Sequence, residues 1–296
     1  MTGISPGEHV GNAVRQLALD RLQPAVDALE VSSAADVDGV VYDVRTRCRR
    51  VRGLLRLVRD EVGDDVYRPE NQALGDAARA LSAVRDAVVM VEVHDEVANS
   101  GGISASGFRE GLVERHEQLR GELLAGDALP RVREFLAAVL ARVETWPVDT
   151  IGWSAVAAGV ERVYRRGRKA MAAAYDQPST ERFHDWRKRV KYLSHQLALL
   201  EDLWPEVMSA SVESAQALTS VLGDTHDLAV LRDALLEAGV DPQREAHLLE
   251  LIDSRRHLLR ARARPIGLRL YAEKPSPFVA RLGRYWEAGP VPATAV

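Results

Sequence analysis

The chain has 296 residues, 46% hydrophobic and 28% charged, with a net charge of −4, the composition of a globular protein with a sizeable core rather than a disordered one. Its single cysteine, Cys48, excludes an internal disulfide or a cysteine metal cage, and no apolar run approaches the ~18 residues a membrane-spanning helix needs. The opening "MTGISPGEHV" has no basic segment followed by an apolar one, which sets the expectation of a cytoplasmic protein.

In chain order, nearly every long segment carries helical periodicity, and none alternates over several strands. The segments are separated by "SSAADVDG" (32–39), "ANSGGISASG" (98–107), "WPVDTIGW" (146–153), "YDQPST" (175–180), "AGVDP" (238–242) and "EKPSP" (273–277). Such Gly, Pro, Ser, Asn and Asp clusters read as loops. Several place Ser, Thr or Asp where a helix begins, as in "PSTERFHDW". The fold class is all-α.

The chain also repeats itself. "VYDVRTRCRRVRGLLRLV" (41–58) aligns with "FHDWRKRVKYLSHQLALL" (183–200) at an offset of 142, pairing Arg45 with Arg187 and Arg49 with Lys191. "ALSAVRDAVVM" (80–90) aligns with "VLGDTHDLAVL" (221–231), and "RHEQLR" (115–120) with "RRHLLR" (255–260), at nearly the same offset. Three collinear matches predict two helical halves, residues 1–148 and 149–296, each built from about four principal helices.

Positive charge is concentrated within this frame. The 39 basic residues comprise 35 arginines and 4 lysines, and seven of the arginines lie in residues 41–60. At 100° per residue, Arg45, Arg49, Arg52, Arg56 and Arg59 share a stripe roughly 80° wide that borders the apolar face of Val44, Val51, Leu54, Leu55 and Val58. Arg47 and Arg50 fall off the stripe and read as surface charges. In the second half His184, Arg187, Lys188, Lys191 and His195 share a face, opposite Trp186, Val190, Leu193 and Leu197. A further stripe contains Arg162, Arg165, Arg166 and Lys169. Arg255, and its repeat partner Arg115, sit among leucines on faces expected to be apolar.

A run of like charges is usually a solvated face. Between Arg45 and Arg59, however, there is no Asp or Glu, and like charges at i,i+4 are mutually destabilising. Arginine cannot relieve the repulsion by losing a proton. The stripe therefore calls for an anion, with internal pairing to acids such as Asp86, Asp227 and Glu161 as the alternative. Guanidinium forks suit phosphate, and five arginines over about 20 Å of helix suit a long polyanion better than a mononucleotide.

"YDVRTRCRRVR" and "HDWRKRVKYLS" resemble the signature stretches of the CHAD family, H-D-x-R-x-x-x-R-R-x-R and H-x-x-R-K-x-x-K-x-x-R. "RVYRRGRK", "GDTHDLAVLRD" and "YAEKPSPF" also stand in the expected places. The resemblance spans the whole chain. It implies two pseudo-symmetric four-helix bundles around a central basic channel that binds inorganic polyphosphate, with association with polyphosphate granules and their enzymes. The resemblance assigns phosphate contacts to Arg45, Arg49, Arg52, Arg187, Lys188 and Lys191, followed by Arg56, Arg162, Arg165, Arg166, Arg255 and Lys274. Arg115, Lys169 and His184 complete the candidate set. Two positions depart from the pattern: Tyr42 replaces its first histidine, and Ser194 replaces the terminal arginine of its second stretch.

The remaining readings are fewer. "RHEQLRGE" at 115 has the Arg-His start of a histidine phosphatase but lies in a helical pattern without the expected glycine. A phosphohistidine relay through His184 would not need a duplicated chain. Nucleic acid is the fairer rival, since any phosphate chain is attracted to an arginine stripe. With aromatics at 5% and none interleaved in the stripe, stacking of bases is not provided for. The expectation is a non-catalytic binding protein with neither cofactor nor metal.

Overall fold

The structure is a computed structural model and describes residues 3–31, 33–102, 107–239 and 246–290. The predicted breaks at 32–39, 98–107 and 238–242 lie partly outside those residues. The described residues form twelve α-helices and no strand. In the first half these are α1 (Val10–Glu30), α2 (Val37–Leu57), the single turn α3 (Arg59–Val62), α4 (Asp64–Ala80), α5 (Ser82–Ser100), α6 (Gly107–Ala125) and α7 (Ala128–Val143). In the second half they are α8 (Trp153–Asp176), α9 (Thr180–Leu199), α10 (Pro205–Glu237), α11 (Ala246–Leu270) and α12 (Pro275–Glu287).

Local chemistry sets several boundaries. Ser179 caps α9 by accepting a hydrogen bond from the Arg182 N–H at 3.2 Å, as "PSTERF" predicts. Pro205 opens α10, where its missing N–H leaves nothing unpaired. One boundary has no such signal. α4 and α5 separate at Leu81, without Gly or Pro, and the kink delivers Leu81 fully into the core. The aligned stretch of the second half runs unbroken through the 33 residues of α10.

α1, α2, α4 and α7 pack against one another as a four-helix group; α8 packs on α9 and α12, and α9 packs on α10. The two groups meet where α2 crosses α9 and α8. The apolar faces read from periodicity are the buried ones: Val44, Val51, Leu54, Leu55 and Val58 of the first stretch, and Trp186, Val190, Leu193 and Leu197 of α9, are all 0% exposed. A smaller core lies at the far end, where α5 and α6 meet α10 and α11. It combines Met90, Val97 and Phe108 with Leu228, Leu231, Leu235 and Ile252.

Candidate anion-binding site

With one face of α2 locked into the core, its arginine stripe is turned toward α9. There Arg45, Arg49, Arg52 and Arg56 meet Arg187, Lys188 and Lys191 around a cavity of about 340 Å³. Asp86, Asp227, His226 and Tyr192 complete the lining. Seven cationic side chains thus face two carboxylates.

The partners of those cations decide what the cavity can do. Arg45 donates to the Ala78 carbonyl at 2.6 Å, Arg49 to the Arg45 carbonyl at 3.0 Å, and Arg56 to the Arg52 carbonyl at 3.1 Å. Arg52 donates to the amide oxygen of Asn71 at 3.1 Å. These neutral acceptors hold the side chains in place without cancelling charge. Among the described residues, the only ion pair made by the seven is Arg45 with Asp86, at 3.6 Å, and the Asp86 side chain is 68% exposed. Internal pairing therefore accounts for one of the four stripe arginines that line the cavity; the fifth, Arg59, lies outside it and pairs with Asp64 at 3.1 Å. Glu161, the other acid considered for that role, pairs with Arg165 at 2.5 Å, away from the cavity.

Uncompensated charge in a half-buried site shifts protonation. Burial pushes Lys191 down to about 7, and Arg49 and Arg187 push in the same direction. Arg45, Arg49 and Arg52 are also lowered by burial, but guanidinium pKa values start too high for a neutral form to appear. Burial raises Asp227, against the pull of Arg187. The imidazoles go the other way: burial and Arg187 take His226 down to about 4, and burial and Lys188 lower His184. Both rings are therefore neutral near pH 7, with their Nδ1 atoms 3.2 Å apart in a hydrogen bond. His184 reaches the cavity only through His226.

A narrower cavity of about 40 Å³ adjoins the first and shares Arg56 and Tyr192 with it. Arg59, Arg162, Arg166 and Arg189 line it. The Arg56 guanidinium stacks on Tyr192, 4.2 Å from the ring centroid, a cation–π contact that fixes its direction. Arg162 pairs with Asp60 and donates to the Arg56 carbonyl.

Ten of the sequence candidates thus lie in or beside these two cavities. Arg115, Arg165, Lys169, Arg255 and Lys274 do not line them. Arg115 is exposed and bonds Gln118, while its neighbours Leu112 and Leu119 are half-buried against the smaller and the main core respectively. Arg255 is satisfied by Glu96. The sequence reading missed Tyr192, His226 and Arg189; their positions within the repeat were visible, but the faces they present depend on how α9 and α10 cross. Among the described residues no group of three or more His, Cys, Asp or Glu is placed to hold a metal, and no Ser, Thr or Cys lines the larger basic cavity.

The sequence profile of the CHAD domain matches residues 13–236. The chain belongs to the CHAD domain family. The crystal structure of the CHAD domain from the plant Ricinus communis superposes on this CHAD domain with a TM-score of 0.53 at 15% identity, covering 98% of this chain and 96% of that one. This likeness establishes the shared helical fold. No curated protein matches the chain.

Proposed function

We propose that this CHAD domain binds inorganic polyphosphate without chemical turnover, in a basic channel between its two helical halves. The observation that carries the reading is the seven-cation cavity in which a single arginine has a carboxylate partner, and that one distant and exposed. A polyanion supplies the missing negative charge repeatedly, and each charge-assisted phosphate contact in such a site contributes about 1–3 kcal/mol. Recruitment to polyphosphate granules is the cellular role that would follow.

The test is competition at equal phosphate and fixed salt among long-chain polyphosphate, single-stranded RNA and duplex DNA. Polyphosphate should win; a win for either nucleic acid overturns the proposal. The combined change Arg45→Glu, Arg49→Glu, Arg52→Glu should abolish binding while circular dichroism stays helical. If six phosphates are engaged, affinity should fall about 300-fold between 50 and 200 mM salt.

A further inference from the structure

A third cavity, of about 600 Å³, opens on the other side of α2. Arg47, Arg50, Ala198 and Glu201 line it, with Asp20 and Arg21 contributed by α1. Displaced by the repeat offset of 142, the first four of these positions become Arg189, Tyr192, Arg56 and Arg59, all of which line the narrow basic cavity. The central cavity maps onto itself under the same displacement, Arg45 exchanging with Arg187 and Arg49 with Lys191. The two outer cavities are thus corresponding arms on either side of one centre.

The arms are not equivalent in this chain. Five arginines line the first: Arg56, Arg59, Arg162, Arg166 and Arg189. In the second, Arg56 is replaced by Ala198 and Arg59 by Glu201, and α1 brings Asp20 where α8 brings Arg162 to the other. Three arginines remain there, of which Arg47 is paired with Asp43 at 2.5 Å. In the first arm Arg59, Arg162 and Arg189 are paired with Asp64, Asp60 and Asp185, so the arms differ in the acids and the number of guanidinium groups lining them rather than in freedom from pairing. The missing side chains account for the width of the second arm: where long guanidinium groups fill the first, alanine leaves space.

Continuity also differs. The first arm shares Arg56 and Tyr192 with the centre, whereas the second shares no lining residue with it. His195 stands between, on the lining of the second arm, with its Cβ against α2 at Gly53, where an added methyl would lie 3.4 Å away. Its Nε2 is buried without a hydrogen-bond partner, and burial takes the ring down to about 4, so with Gly53 it forms an uncharged, close-packed partition rather than a basic passage.

Resting on the proposed polyphosphate reading, we infer that the binding track is one-armed: the polymer runs from the central cavity along the Arg56–Arg59–Arg162–Arg166 arm and does not enter the arm closed by His195. Duplication supplied two arms, and substitutions at Ser194, Ala198 and Glu201 took one out of use.

Two triple variants of equal charge change provide the test, with long-chain polyphosphate titrated at several salt concentrations. Arg59→Gln, Arg162→Gln, Arg166→Gln should weaken binding at least tenfold and flatten the dependence of log affinity on log salt by about two contacts' worth. Arg21→Gln, Arg47→Gln, Arg50→Gln should change affinity less than twofold and leave the slope unaltered. Melting temperatures show that each variant is folded. In a separate gain experiment, Ala198→Arg with Glu201→Arg, which restores the counterpart charges, should steepen the salt slope only if His195→Gly is added to open the partition. Equal losses from the two triple variants would overturn the one-armed track while leaving polyphosphate binding intact. Failure of the wild-type protein to bind polyphosphate at all would remove both.

Discussion

Replacing Lys191 with methionine removes a cation that the fold holds at about 7, against an ordinary 10.5. The unfolded chain keeps this proton up to about pH 10.5, whereas the folded protein sheds it above pH 7. Stability therefore rises with pH across that window and is lost as pH falls back toward 7. From pH 7.0 to 8.5 the linkage is on the order of 1–2 kcal/mol, a few degrees in melting temperature for a chain of this length. A polyanion that restores the proton is subject to the same linkage in reverse, so wild-type affinity for polyphosphate should fall about fifteenfold over the same interval. Thermal melts of the free protein and fluorescence titrations with polyphosphate, each at pH 7.0 and 8.5, measure both effects. Lys191→Met should lose this increment of pH dependence in each assay, and Lys191→Arg should bind as tightly at pH 8.5 as at 7.0. Identical pH slopes in the wild type and Lys191→Met would refute the assignment of the proton to this site.

Three further outcomes are expected. Asp86→Asn removes the carboxylate paired with Arg45 in the central cavity and should tighten polyphosphate binding a few-fold at low salt, the gain disappearing at high salt; weaker binding would mean that Asp86 positions Arg45 rather than competing for it. Arg142→Met strands Glu70, whose side chain is 4% exposed and accepts two hydrogen bonds from Arg142 at 2.7 and 2.9 Å; urea melts should show a loss of about 3 kcal/mol, largely recovered by adding Glu70→Met. Gly159→Ala places a methyl group on the backbone carbonyl of Leu57, where α8 crosses the end of α2, and should destabilise by about 3 kcal/mol or more in the same assay.

In α2 and α9 the apolar faces read from periodicity are the buried ones. The valines and leucines of α2 had only one face to share, and once that face was buried the arginines at +3 and +4 spacing had to border it together. The second stripe followed from the repeat. What could not be read depended on contacts between helices. Arg47 and Arg50 look like solvent charges until α1 and α10 wall in the space beside them. Arg115 looks like a core arginine because Leu112 and Leu119 flank it, yet those leucines are only half-buried against the cores and Arg115 itself stays exposed. The break at Leu81 carries no turn residue; tertiary packing imposes it. The protonation of Lys191 depends first on its burial and then on guanidinium groups that include Arg49, about 140 residues away in the chain.

The smaller core draws its side chains from both halves of the sequence. Met90, Val97 and Phe108 close against Leu228, Leu231 and Ile252, so a fragment ending near residue 148 would present an oily surface with nothing to cover it. Such a fragment could hide that surface only by pairing with another copy of itself. Joining the two in one polypeptide turns an encounter that would depend on concentration into a tethered one. It also leaves the two halves free to differ, as they do at the repeat offset where Arg56 and Arg59 stand against Ala198 and Glu201.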